Sequence, residues 1–264
     1  MAGRPIWYEL MTPNARAVAP FYRAVLGWSI PDDGASMPNG GEYRAIGRPD
    51  GGSAGGVLTL TKDMQSGGAR PGWLPYFHVD DVDAAVAKAA TLDAPTWLPP
   101  RTIPGAGRMA MIADPQGAPF YLLKPTPPPD RPDAESDVFD AKKASHCRWN
   151  ELVTNDAMAA GVFYKKLLGW TIDEKMSMGS AGDYSFIDCG KQRIGAISPM
   201  IKQTTTPLWL LYFGVEDIAR AEVAAKANGG KVVREPNQIP GGEYTFVATD
   251  PAGALVGFVG PRAA

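Results

Sequence analysis

The chain predicts an α+β fold of four βαβββ modules arranged as two tandem copies, and three observations predict it. Trp7-Tyr8-Glu9-Leu10, Phe21-Tyr22 and Leu26-Gly27-Trp28 return as Trp149-Asn150-Glu151-Leu152, Phe163-Tyr164 and Leu168-Gly169-Trp170, at a constant offset of 142. Trp73, Tyr76-Phe77, Ile103-Pro104-Gly105 and Asp114-Pro115 return as Trp209, Tyr212-Phe213, Ile239-Pro240-Gly241 and Asp250-Pro251, now at an offset of 136, so the second copy is six residues shorter in its middle. Within each copy, apolar periodicity switches twice from strand to helix and back to three strands.

The elements follow in order. A strand at 6–11 puts Trp7, Glu9 and Met11 on one face and Ile6, Tyr8 and Leu10 on the other. Thr12-Pro13 offers an N-cap and a first-turn proline, and Val18, Phe21, Tyr22, Val25 and Leu26 then share a helical face that Gly27 ends. Ala160, Phe163, Tyr164, Leu167 and Leu168, ended by Gly169, repeat it. Three strands are expected next, over 28–30, 43–46 and 56–60. The second module restarts with a strand at 74–79. Asp80-Asp81 caps a helix carrying Val82, Ala85, Val86 and Ala89 inward, and strands near 95–99, 108–113 and 118–123 complete it. Asp114-Pro115-Gln116-Gly117 and Asp250-Pro251-Ala252-Gly253 have the order of tight turns.

A proline-rich stretch from Lys124 to Asp133, continuing polar to Ser145, divides the copies: domains are expected at 1–124 and 146–264, with a linker at 125–145. The 264 residues, 45% apolar and 20% charged, suffice for two cores. A net charge of −2 with no long run of one sign argues against nucleic acid or a membrane surface as partner. No apolar segment approaches the roughly 20 residues of a membrane span, and the N-terminus has no signal core, so a cytoplasmic location is expected. Cys147 and Cys189 are too few for a disulfide framework and lack metal-site spacing.

Phe-Tyr then Leu-Gly-Trp at a helix end, the Val79-Asp-Asp-Val-Asp-Ala-Ala helix opening and Asp-Pro-x-Gly before a final strand together resemble the vicinal oxygen chelate superfamily, which includes glyoxalase I, bleomycin-resistance proteins and extradiol dioxygenases. Tandem-domain glyoxalase-like proteins, with Trp-x-Glu-Leu opening each half, are closest in pattern. The resemblance covers everything except the linker. It implies two tandem glyoxalase-like domains whose curved mixed sheets surround open clefts, and a monomer whose halves form an internal pseudo-dimer.

Catalytic members of that superfamily hold a divalent metal. The positions implied for its ligands fall here on Trp7 and Trp149, on Leu74 and Leu210, and on Tyr121 and Gly257. None of the six is a plausible metal ligand, and the chain has only two histidines. No metal and no cofactor are therefore expected. The resemblance turns the Trp7, Glu9 and Met11 face toward the cleft, with Trp149, Glu151 and Val153 as counterparts; Tyr76 and His78 lie in the matching phase of the next strand, against Tyr212 and Gly214. Trp7, Met11, Tyr76, His78, Tyr121, Trp149 and Tyr212 are candidate contacts to a flat, partly aromatic small molecule carrying a donor or positive charge.

Glu9 and Glu151 are the candidate catalytic residues, because an acid within an apolar strand costs free energy unless it is partnered or used. An ion pair with Arg23, Arg44 or Arg108 explains Glu9 equally well, and the tryptophans serve equally as fillers of a former metal site. His78, replaced by Gly214 in the second copy, has no role common to both halves. His146 is expected at the surface. The Gly51–Gly56 stretch lacks the Lys-Ser/Thr and following helix of a phosphate loop and reads as a flexible connection or lid. The function expected is metal-independent binding of a small molecule. Its alternatives are a lyase, isomerase or hydrolase using Glu9 or Glu151 as general base, a metal-dependent relative with non-standard ligands, and an interaction protein.

Overall fold

A computed structural model of the chain describes residues 2–37 and 41–263. Four βαβββ modules follow one another. The first is β1 (Pro5–Thr12), α1 (Ala15–Leu26), β2 (Ala35–Ser36), β3 (Glu42–Gly47) and β4 (Ser53–Thr59). After a short helix α2 (Lys62–Ser66), the second is β5 (Gly72–His78), α3 (Val82–Ala90), β6 (Thr96–Ile103), β7 (Gly107–Ala113) and β8 (Pro119–Pro125). The third is β9 (Cys147–Thr154), α4 (Ala157–Leu168), β10 (Lys175–Ser177), β11 (Asp183–Cys189) and β12 (Gln192–Pro199). The fourth is β13 (Leu208–Gly214), α5 (Ile218–Ala227), β14 (Lys231–Gln238), β15 (Tyr244–Thr249) and β16 (Leu255–Gly260).

The strands form two eight-stranded mixed sheets, ordered β2-β3-β4-β1-β5-β8-β7-β6 and β10-β11-β12-β9-β13-β16-β15-β14. In every module the first strand runs parallel to the last, because a helix intervenes, while the strands joined by short turns pair antiparallel. Among the described residues no helix is long and apolar enough to cross a membrane.

Contacts gather the chain into two compact units, each drawing one module from each tandem half. One holds Leu74–Ser136 and Asn150–Trp209 with the N-terminal residues to Ile6; the other holds Trp7–Trp73, Asp137–Trp149 and the chain from Leu210 onward. In the latter, the recurring motifs of two different halves meet. Tyr22 of α1 donates its hydroxyl hydrogen bond to Asp250 at 3.0 Å and accepts one from the Trp73 indole at 2.9 Å. The other Asp250 oxygen caps the turn, accepting from Ala252 N at 2.8 Å and Ala254 N at 2.9 Å. Trp28 lies stacked on Tyr22 and edge-on to Phe213, with centroids 5.7 and 4.8 Å apart.

The former unit repeats the arrangement with the halves exchanged. Tyr164 of α4 donates to Asp114 at 3.1 Å, and Asp114 caps its own turn through Gln116 N and Ala118 N. Trp170 stacks on Tyr164 at 5.1 Å and meets Phe77 edge-on at 4.9 Å. Each aromatic pair contributes about 0.5–1.5 kcal/mol beyond its buried area. Burial holds both aspartates above the ordinary carboxylate range, against the lowering effect of their amide and tyrosine donors.

Several local expectations are corrected. The N-cap of α1 is Asn14, whose side chain accepts from Ala17 N at 3.1 Å; Thr12 ends β1 instead. Residues 28–30 form only a bridge, Ser29 to Gly47, and the short β2 supplies the third strand of the module. Ser53 to Gly56 of the Gly51–Gly56 stretch belong to β4, where the small residues let strands approach; it is no lid. The segment before Ser145 is not uniformly polar, since Val138 and Phe139 are buried. Asp137 is tied to Arg48, whose buried guanidinium also holds Asp50. His146 is 2% exposed rather than at the surface, with its Nδ1 2.8 Å from the Ala144 carbonyl oxygen.

Candidate ligand site

The sheet faces place the candidate residues in four clusters, two in each compact unit. On β1, Ile6, Tyr8 and Leu10 are buried in the core while Trp7 and Met11 are half-exposed, as strand alternation requires. Trp7 Nε1 donates to the Tyr43 hydroxyl at 2.7 Å. Glu9 stands beside Gly56 in the β1–β4 register, and the Tyr43 phenol lies over that glycine: a Cβ at 56 would fall 2.2 Å from the phenol oxygen. Burial first, and then the Glu9 carboxylate, holds the Tyr43 phenol far above its ordinary range. Glu9 itself is buried, while Arg44 is taken by Glu42 and Arg108 by Asp83.

The same tyrosine recurs in the third module with a different partner. Tyr184 of β11 donates its hydroxyl to Glu151 of β9 at 2.7 Å, and Glu151 is 6% exposed. Trp149, like Trp7, is half-exposed. Tyr43 and Tyr184 escaped the sequence reading, although the triplets Gly41-Glu42-Tyr43 and Gly182-Asp183-Tyr184 repeat a Gly-acid-Tyr signal that would have found them.

The strands carrying Tyr76 and Tyr212 show how the metal-ligand positions of the resemblance are filled. Tyr76 and Tyr121, paired in the β5–β8 register, stack with centroids 4.1 Å apart and planes at 12°. Tyr212, paired with Gly257, lies over that glycine, where a Cβ would stand 2.4 Å from the ring. A glutamate at 257 has no room beneath it. Arg234 donates to the Tyr212 hydroxyl, with its Cζ 5.8 Å from the ring centroid. Leu74 and Leu210 are buried apolar residues. Among the described residues no three His, Cys, Asp or Glu side chains stand together in a way that could hold a metal ion. The six implied positions do not fit a divalent cation.

His78 is half-buried on β5, its Nδ1 3.9 Å from Asp80. A concavity of about 720 Å³ bounded by Val25, Leu26, Pro49, Val215, Arg220 and Val223 is lined by none of the candidate residues. Cys147 is buried on β9, and burial pushes its thiol up to about 12.

The sequence matches the Glyoxalase/Bleomycin resistance protein/Dioxygenase superfamily over residues 4–122 and 143–258, both halves of the repeat. The chain belongs to that superfamily. It is 28% identical over 259 residues to "Putative glyoxylase CFP32" of Mycobacterium tuberculosis, covering 98% of this chain and 95% of that protein. It is 28% identical over 270 residues to the anthracycline biosynthesis protein DnrV of Streptomyces peucetius, covering 96% and 91%. In structure it resembles the 2,3-dioxygenase LapB of Pseudomonas sp. KL28, with a TM-score of 0.63, 16% identity and coverage of 100% and 94%, a likeness of fold alone.

Proposed function

We propose that this superfamily member binds a small, partly aromatic organic molecule on its tyrosine- and tryptophan-bearing strand faces without a metal. The observation that carries the reading is the filling of the ligand positions: Tyr76 stacks on Tyr121, and Tyr212 occupies the space above Gly257. These three tyrosines are themselves buried, so the flat, polarizable surface open to a ligand is that of the half-exposed indoles of Trp7 and Trp149. The kinship with a protein named for anthracycline biosynthesis supports a polycyclic ligand. The protein acts as a cytoplasmic monomer whose tandem halves serve as an internal pseudo-dimer, and sequestration of the kind that names the bleomycin-resistance proteins is one use.

The test is quenching of tryptophan fluorescence by hydroxyanthraquinones in protein dialysed against chelator. Saturable quenching that survives the chelator and weakens at least tenfold in Trp7→Ala or Trp149→Ala is expected. Binding that appears only on adding a divalent metal sinks the proposal.

A second reading is favoured by Glu151, a buried carboxylate with a tyrosine hydroxyl on one oxygen. Such a pair, like Glu9 with Tyr43 above it, is equipped to take a proton from a carbon acid and return it elsewhere, as a lyase or isomerase requires. Glu151→Gln and Glu9→Gln then abolish turnover while leaving affinity within about threefold.

A further inference from the structure

Among the described residues, arginines withdrawn from water are neutralised, with one exception. Arg4, Arg44, Arg48, Arg108, Arg148 and Arg193, all buried or half-buried, each hold a carboxylate within salt-bridge distance. Arg234 is likewise half-buried and has no carboxylate within 4.0 Å among the described residues. Its guanidinium donates to the neutral hydroxyl of Tyr212, and its Nε is buried without a hydrogen-bond partner. Holding a charge in this state costs free energy that neither a phenol nor the face of a ring returns in full.

Its place in the sheet shows what the charge faces. Across the fourth module the register runs Arg234 to Val247, Val247 to Gly257 and Gly257 to Tyr212, one row over four strands. Paired residues share a face, and the missing side chain at 257 lets Tyr212 and Arg234 reach each other along it. The equivalent row of the second module reads Leu98, Met111, Tyr121, Tyr76. There the arginine is a leucine and the tyrosine stacks on a second tyrosine, so one row is apolar and the other carries an uncompensated cation.

We propose that Arg234 and Tyr212 form an oxyanion-recognition subsite in the second half, taking an acidic oxygen carried on a planar conjugated ligand, while the corresponding row of the first half takes only uncharged rings. Guanidinium is suited to this because it presents a fixed fork of donors to two oxygens. The inference rests on the aromatic-ligand reading above and narrows it to a ligand class.

The test uses calorimetry on the full chain with two named probes, anthraquinone-2-carboxylate and the uncharged anthraquinone-2-carboxamide. Wild type is expected to bind the acid at least about tenfold more tightly than the amide, the scale of one charge-assisted hydrogen bond. Arg234→Met is expected to erase that preference, leave amide affinity within about twofold and melt at or above the wild-type temperature, since it removes an unpaired buried charge. Equal affinity of wild type for the two probes, or a preference that survives Arg234→Met, overturns the subsite while leaving the aromatic-ligand reading intact. A melting temperature lowered by several degrees in Arg234→Met makes the arginine a structural residue and overturns it too. Failure of both probes to bind overturns the subsite and the aromatic-ligand reading together.

Discussion

At position 257 a single hydrogen stands where the family resemblance implies a carboxylate, and the Tyr212 ring uses the space. Restoring the acid does not restore a site, because the ring must first be expelled. Gly257→Glu is expected to lower stability by about 1–3 kcal/mol, the usual cost of overpacking, measured as a reduced urea midpoint with unchanged slope. Cys147 supports a second prediction at this scale. Its buried thiol, held near about 12, stays protonated under ordinary conditions, so a thiol-specific reagent at about pH 8 leaves it unmodified in the native protein and labels it after unfolding. Strand alternation made Trp7, Glu9 and Met11 legible as sharing one face, since period two needs no knowledge of neighbours, but not that Glu9 would be buried between two half-exposed side chains. Tyr43, Tyr184 and Arg234 were not legible in the same way, because each acts through a partner on another strand and cross-strand register is not written in local pattern.

Between elements, the governing contact is the tyrosine of a first-strand helix with the aspartate of a last-strand turn. Both motifs repeat visibly in the sequence, and Asp-Pro-x-Gly reads correctly as a turn; that its aspartate also receives a buried tyrosine from the other tandem half does not. One carboxylate does both jobs, one oxygen for each. Tyr22→Phe is expected to cost about 1–3 kcal/mol, because it leaves the Asp250 oxygen and the Trp73 N–H without their shared partner, whereas an exposed tyrosine would cost little. Burial raises the pKa of Asp250, so between its unfolded value near 3.8 and the raised one the native state keeps a proton that the unfolded chain has lost. Stability contributed by this group is therefore fullest below that window and falls as pH rises through it. The stability of wild type relative to Asp250→Asn should decline over this mildly acidic interval, measured by urea melts at several pH values; a difference that grows with pH contradicts the account.

For the whole molecule, the module count, the repeat and the α+β class follow from periodicity because each module's pattern is local. Which module packs on which does not follow, since all four offer a helix and a sheet face of similar chemistry, and each compact unit in fact combines modules from both halves. Residues 125–137 between the halves are exposed and proline-rich. Proteolysis there is expected to leave the two fragments co-eluting on size exclusion and melting within a few degrees of the intact chain, because each unit still holds one piece of each fragment. Fragments that separate and stay folded contradict that partition. The central claim, that rings have replaced ions at the chelate positions, is tested most directly by elemental analysis of protein purified without added metal or chelator. The account predicts manganese, iron, nickel and zinc far below one per chain; stoichiometric retention of any of them until the protein unfolds contradicts it.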